Sequence, residues 1–108
     1  MSEFLHVLRK ANIHRDLEWN PKNLLTPVFR GCELAGEIGE ACNLLKKIER
    51  ERLGLVGSRA TMEHLGEELA DGIICIDLIA MDFNINLIEA VQKKFNKTST
   101  ERNLNVFL

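Results

Sequence analysis

The chain has no tyrosine, one tryptophan and five phenylalanines in 108 residues, so aromatics make up only 6%. Platforms on which successive bases could stack are scarce. Positive charge is not in excess either: fourteen Lys and Arg against sixteen Asp and Glu give a formal net charge of −2. The basic footprint of a protein that grips a nucleic-acid polymer is missing. No stretch alternates apolar and polar residues as a half-buried strand would. There is no repeat of about 20–50 residues and no low-complexity linker. The longest strongly apolar run, Ile73 to Met81, is interrupted by Asp77 and is too short to span a membrane. The N-terminus soon turns charged at His6, Arg9 and Lys10, so no secretory leader is expected. Cys32, Cys42 and Cys75 are odd in number and show neither CxxC nor Cys/His zinc spacing. They read as three buried free thiols in a reducing, cytoplasmic setting.

What is present is helical. The chain is 45% apolar and 28% charged, ordinary for one globular domain over residues 1–108, which at this size should bury about 65% of its unfolded surface. A first helix is expected over 2–18, with Ser2 as N-cap and Phe4, Leu5 and Leu8 as its apolar stripe. Asn20-Pro21 ends it. Thr26-Pro27, a capping residue followed by proline at the first helical position, starts a second helix that runs to about Arg52. Gly54, Gly57 and Ser58 mark a loop. A third helix is expected from about Arg59 to Phe83 and a fourth over about 87–98, with Asn86 and Glu89 as a capping-box-like pair. Short connections make consecutive helices antiparallel, so the expected fold is an all-α, four-helix-bundle-like domain.

The chemistry concentrates on two helices. Glu37 and Glu40 are three residues apart, as are Glu68 and Asp71, and that spacing makes neighbours on a helix surface. Glu33 lies one turn before Glu37 on the same side. If the second and third helices form a hairpin, the two acidic pairs come level to within about 6 Å at 1.5 Å per residue. Four carboxylates gathered without a counter-charge repel one another and resist desolvation. A divalent cation makes such a cluster tolerable, and all-oxygen ligands suit Mg²⁺, with Mn²⁺ as a substitute, better than zinc. Gly31, Gly36 and Gly39 in the same helix are expected to provide clearance for a neighbouring helix or ligand. Lys46, Lys47, Arg50 and Arg52 follow on the second helix, where they can hold phosphate or simply complement the helix C-terminus.

On these residues the chain resembles the MazG-like all-α nucleoside triphosphate pyrophosphohydrolases. That family's pattern is E-E-x-x-E, a spacer, then E-x-x-D. Here it reads Gly36-Glu37-Ile38-Gly39-Glu40, then Glu68-Leu69-Ala70-Asp71. Asn43, Lys46-Lys47, the glycine loop and Lys94-Phe95-Asn96 add to the likeness, which covers about residues 25–100. The resemblance implies a small stand-alone, house-cleaning type of enzyme that splits the α–β phosphate bond of an NTP or dNTP into a nucleoside monophosphate and pyrophosphate. It implies Glu37, Glu40, Glu68 and Asp71 as metal ligands. Lys46, Lys47, Arg50, Lys94 and Asn96 would contact the nucleotide, and the protein would be a homodimer or homotetramer. Where the family has its first acid this chain has Gly36. The general base therefore stays open between Glu37 and Glu40, with Glu33 in support.

Three further readings complete the set. Asp77, on the opposite side of its helix from Glu68, calls for a structural or interface ion-pair partner. Trp19 reads as a packing residue or, alternatively, as a stacking face for a base. His6, His14 and His64 read as ordinary histidines. The rival to an enzyme is a non-catalytic helical interaction module whose acidic cluster binds metal or nucleotide.

Overall fold

The computed structural model describes residues 2–56 and 59–108, apart from the side chain of Ser2. Four helices follow in order: α1 (Ser2–Trp19), α2 (Pro27–Arg52), α3 (Met62–Asp82) and α4 (Leu87–Glu101). No strand occurs among the described residues, and no helix there is long and apolar enough to cross a membrane. The Ser2 side chain, expected as an N-cap, and Gly57 and Ser58, expected in the loop, lie outside the described residues.

Local chemistry sets the helix ends. Thr26 Oγ1 accepts from the Phe29 N–H at 3.2 Å, and Asn86 Oδ1 accepts from the Glu89 N–H at 3.1 Å. α3 starts three residues later than expected. The Ala60 N–H donates to Glu51 of α2 at 3.0 Å, and Thr61 provides the cap by accepting from the His64 N–H. The C-termini of α2, α3 and α4 share one device. Gly54, Asn84 and Asn103 have φ of 75°, 53° and 56°. The next residue's N–H then reaches back to the last turn, as Leu55 does to Arg50 and Leu104 to Ser99. This left-handed cap, which Asn tolerates almost as well as Gly, carries α4 to Glu101, beyond the expected 98.

Contacts fix the packing. Glu40 of α2 lies by Glu68 of α3, while Arg30 lies by Cys75 and Asp82. Residue numbers fall along α2 as they rise along α3, so the two helices are an antiparallel hairpin. Buried apolar side chains are few: Ala41, Leu44, Cys75, Leu78 and Ala80. Buried charge does the rest. Arg30, only 2% exposed, bonds Asp16 of α1 at 3.0 Å and Asp82 of α3 at 2.7 Å. Its backbone oxygen accepts from the Cys75 thiol at 3.2 Å. Asp77, 1% exposed, accepts from Arg9 at 3.1 Å and Asn12 at 2.9 Å, both on α1. The carboxylate within the apolar run thus has the ion-pair partner its burial demands.

The chain is thin and open. It extends 46 × 45 × 23 Å with a radius of gyration of 17.2 Å, against about 13 Å for a compact domain of this length. Its surface is 8262 Å², where a compact monomer of its 12.3 kDa has about 6,100 Å². The expected burial of about 65% is therefore not reached; the value is about 54%. Leu69, Ile73 and Ile76 of α3 and Ile38 and Leu45 of α2 stay exposed. The cysteine expectation needs the same correction. Cys75 is buried, but Cys32 and Cys42 are exposed free thiols on α2.

Removing one member of a buried ion pair strands the other. Asp77→Ala is expected to destabilise the protein by about 3–5 kcal/mol. Glu49→Ala, which breaks an exposed pair with Arg52, is expected to leave stability nearly unchanged. Urea denaturation at matched protein concentration measures both, and equal costs would refute the role given to Asp77.

Candidate functional site

Helix α2 presents Glu37 and Glu40 across the hairpin from Glu68 of α3. One carboxylate oxygen from each lies within 4.8 Å of the others. The Glu68 side chain is 11% exposed. In the ionised form its buried Oε2 finds no donor, since a carboxylate neighbour accepts but cannot donate. Its Oε1 lies 3.3 Å from Nε2 of His64, one turn earlier on α3. Proton sharing with Glu40, and next with Glu37, pushes the Glu68 carboxyl up to about 7; burial and the two like charges add to this. The Glu68 carboxyl therefore resists ionisation beside its two acidic neighbours.

Two hollows flank the triad. One, of about 330 Å³, is lined by Glu40, Asn43, Leu44, Lys47, His64 and Glu68. The other, of about 290 Å³, is lined by Arg15, Trp19, Glu33, Glu37, Asp71, Ile74, Cys75 and Leu78. Glu37 belongs to the triad and to the second hollow. Asp71, expected beside Glu68, stands outside the triad and faces the second hollow with Glu33 and Glu37. Burial there raises the Cys75 thiol's pKa, and the charges of Glu33 and Glu37 add to the effect.

The remaining expected residues separate. Lys47 is half-buried and joins the first hollow, whereas Lys46 is exposed and lines neither. Arg50 donates to the Val56 carbonyl at 2.8 Å and so braces the α2–α3 loop. Lys94 lies along an apolar groove on α4 with Val91 and Phe95. The Asn96 amide exchanges hydrogen bonds of 3.1 and 2.7 Å with the Leu108 backbone. Neither α4 residue lines the hollows beside the triad of its own chain. Trp19 is not a packing residue: it is 59% exposed on the wall of the second hollow, and the Arg15 guanidinium carbon sits 4.5 Å from its ring centroid. A Cβ at Gly31, Gly36 or Gly39 would meet nothing within 4 Å, so these glycines give no clearance to a neighbouring helix of this chain. His64, read as an ordinary histidine, lies against the triad. Its i,i+4 spacing to Glu68 was the available signal.

The donor set fits a hard divalent cation. It is all oxygen, carries excess negative charge and includes a buried oxygen without a partner. Compared with protein-family models, with curated proteins and with solved structures, the chain gives no match.

Because folding raises the Glu68 pKa from 4.5 to about 7, the folded chain binds that proton more tightly than the unfolded one. The resulting stability is full below about pH 4.5 and is lost as pH rises through about 7. Without metal, Glu68→Gln is expected to unfold at a higher temperature than the parent at pH 8, with the gap closing towards pH 4.5. Thermal melts in chelator across this range provide the check, and a pH-independent gap would contradict the shared-proton picture.

Proposed function

We propose that the protein is a Mg²⁺-dependent nucleotide pyrophosphohydrolase, a hydrolase acting on acid anhydrides, of the MazG-like all-α kind. It would cleave an NTP or dNTP between the α- and β-phosphates, giving a nucleoside monophosphate and pyrophosphate. The observation that carries this reading is the convergence of Glu37, Glu40 and Glu68 across the hairpin, one oxygen of each within 4.8 Å of the others. Glu37, Glu40 and Glu68 would hold Mg²⁺, or Mn²⁺ in its place, and Asp71 would extend the set from the second hollow through Glu37. When bound, the cation supplies positive charge for phosphate oxygens and lowers the pKa of a coordinated water.

The chain's own groups divide the remaining work. Lys47 carries a fixed positive charge in the first hollow and would take the phosphate end. Trp19 offers a ring face in the second hollow and would take the base. Lys46 lies close enough in sequence to Lys47 to add long-range attraction for a polyanion, while Arg50 serves the loop. Glu37 or Glu40 would serve as the general base that accepts a proton from water, with Glu33 in support.

Open shape bears on assembly. A chain with roughly 2,000 Å² more surface than a compact monomer and an apolar stripe on α3 fits a homodimer or homotetramer. In that assembly Lys94 and Asn96 of α4 would approach a neighbouring subunit's site. Sedimentation equilibrium at micromolar concentration is expected to give two or four times 12.3 kDa; a monomer at that concentration would contradict the assembly. The same exposed stripe favours a second reading, a non-catalytic helical interaction module, which predicts no turnover at all.

A screen of NTPs and dNTPs with Mg²⁺ is expected to show pyrophosphate release from at least one. Glu40→Gln and Asp71→Asn are each expected to lower turnover by about 10- to 100-fold or more, the loss seen even for partners one layer further from a metal. Folding, followed by circular dichroism, is expected to stay intact. Absence of release from every nucleotide would overturn the enzymatic reading. Full activity in either variant would overturn that residue's assignment.

A further inference from the structure

The α2–α3 hairpin is tied to α1 on one face, through Asp16–Arg30 and Arg9–Asp77. Its other face is apolar and bare. On α2, Ala35, Ile38, Cys42 and Leu45 follow at spacings of three and four residues; on α3, Met62, Leu69, Ile73 and Ile76 fall on the matching repeat. Such spacing draws one stripe along each helix. We propose that this face is where a second copy of the chain docks, two hairpins meeting face to face as a four-helix layer. The proposal rests on the assembly reading given above, to which it adds the surface involved, and is independent of the metal centre.

Geometry sets both stripes on the same side. Glu40 lies by Glu68, which brings Ile38 level with Leu69, Ala35 with Ile73 and Leu45 with Met62. At about 100° per residue, Cys42 is half a turn round α2 from Glu33, and Leu69 is half a turn round α3 from Leu78. Glu33 and Leu78 line the hollow whose wall includes Arg15 and Trp19 of α1, so both stripes point away from α1. Lys47 of the first hollow is likewise half a turn from Ile38, so docking leaves both hollows open. The five large aliphatic side chains, Ile38, Leu45, Leu69, Ile73 and Ile76, are between 40% and 53% exposed. No charged residue falls on either stripe from Gly31 to Leu45 or from Met62 to Ile76, and depletion of charge is what sets the core of an interface apart from ordinary surface. Gly31 and Gly66 lie on the same stripes with open space beside them, which leaves room for a partner's larger side chains. Area agrees as well. The excess of roughly 2,000 Å² over a compact monomer covers the roughly 800 Å² that each partner gives up in a standard interface, and the larger share in an obligate one. A face that pairs with its own copy about a two-fold axis closes the assembly there.

Sedimentation equilibrium of the full chain, of Ile73→Glu and of Val91→Glu tests the placement. Ile73→Glu puts a carboxylate in the middle of the docking face and is expected to weaken self-association about 100-fold or more. Val91→Glu puts the same charge in the apolar groove of α4 and is expected to associate like the parent. Ile73 is exposed within its own chain, so helix content followed by circular dichroism is expected to hold. The parent also carries its own probe, which needs no variant to fold. Cys42 lies on the α2 stripe and Cys32 about a quarter turn away from it, both exposed in the single chain. Alkylation of Cys42, read by mass spectrometry, is expected to slow as the parent is concentrated from nanomolar to high-micromolar, while that of Cys32 keeps its rate. Parent-like association of Ile73→Glu, loss of association in Val91→Glu, or a Cys42 as reactive as Cys32 in the associated parent overturns the placement and leaves assembly standing. A parent that stays monomeric at high-micromolar concentration overturns both.

Discussion

Like charge held at close range is the constraint on which the arrangement turns. Glu37, Glu40 and Glu68 are brought together by an antiparallel hairpin whose two sides each contribute acids beside packing residues. Ionised together, they would push α2 and α3 apart. Their proximity pushes the Glu68 carboxyl up to about 7, and a cation would relieve the repulsion more fully. Repulsion tolerated at one place in an otherwise economical fold is the kind of local conflict that marks a functional site.

The hairpin withstands this because it is tied elsewhere. Arg30 links α1, α2 and α3 through Asp16 and Asp82, and Asp77 fastens α3 to α1 through Arg9 and Asn12. These buried charges tie α1 to the hairpin beside a small apolar core in which only a few side chains are buried. A slab 23 Å thick is about two helices deep. Such a slab cannot surround a nucleotide, and both hollows beside the triad lie open at its surface. The fold accordingly presents the site at the hairpin's edge, with Trp19 and Arg15 on one side and Lys47 and His64 on the other.

Much of this was legible in the sequence because it is written in local chemistry. Thr26-Pro27 and Asn86 announce helix starts, and the i,i+3 acids with hairpin arithmetic place Glu37 and Glu40 opposite Glu68. What failed was decided at a distance or by competing caps. The start of α3 moved to Met62 because Glu51 takes the Ala60 N–H, a bond between residues nine apart. Asp77 visibly needed a partner, but nothing local names Arg9, 68 residues away. The glycines of α2 pointed to clearance for a helix or ligand, yet no neighbour within the chain lies within 4 Å of a Cβ placed there, and Cys32 and Cys42 on the same helix are exposed. Asp71 lines the second hollow with Glu33 and Glu37, a placement that needs the position of α1 as well as the hairpin. Trp19 stands exposed because its wall is built from three helices, and only tertiary structure shows that.

The central claim is that the three converging carboxylates are a cation site. Anomalous diffraction from crystals grown with Mn²⁺, recorded at the manganese edge, tests it most directly. The account predicts a strong peak within ligand distance, about 2.0–2.3 Å, of oxygens from Glu37, Glu40 and Glu68. A map with no peak there, the carboxylates remaining in mutual contact with saturating Mn²⁺ in the crystal, would contradict it.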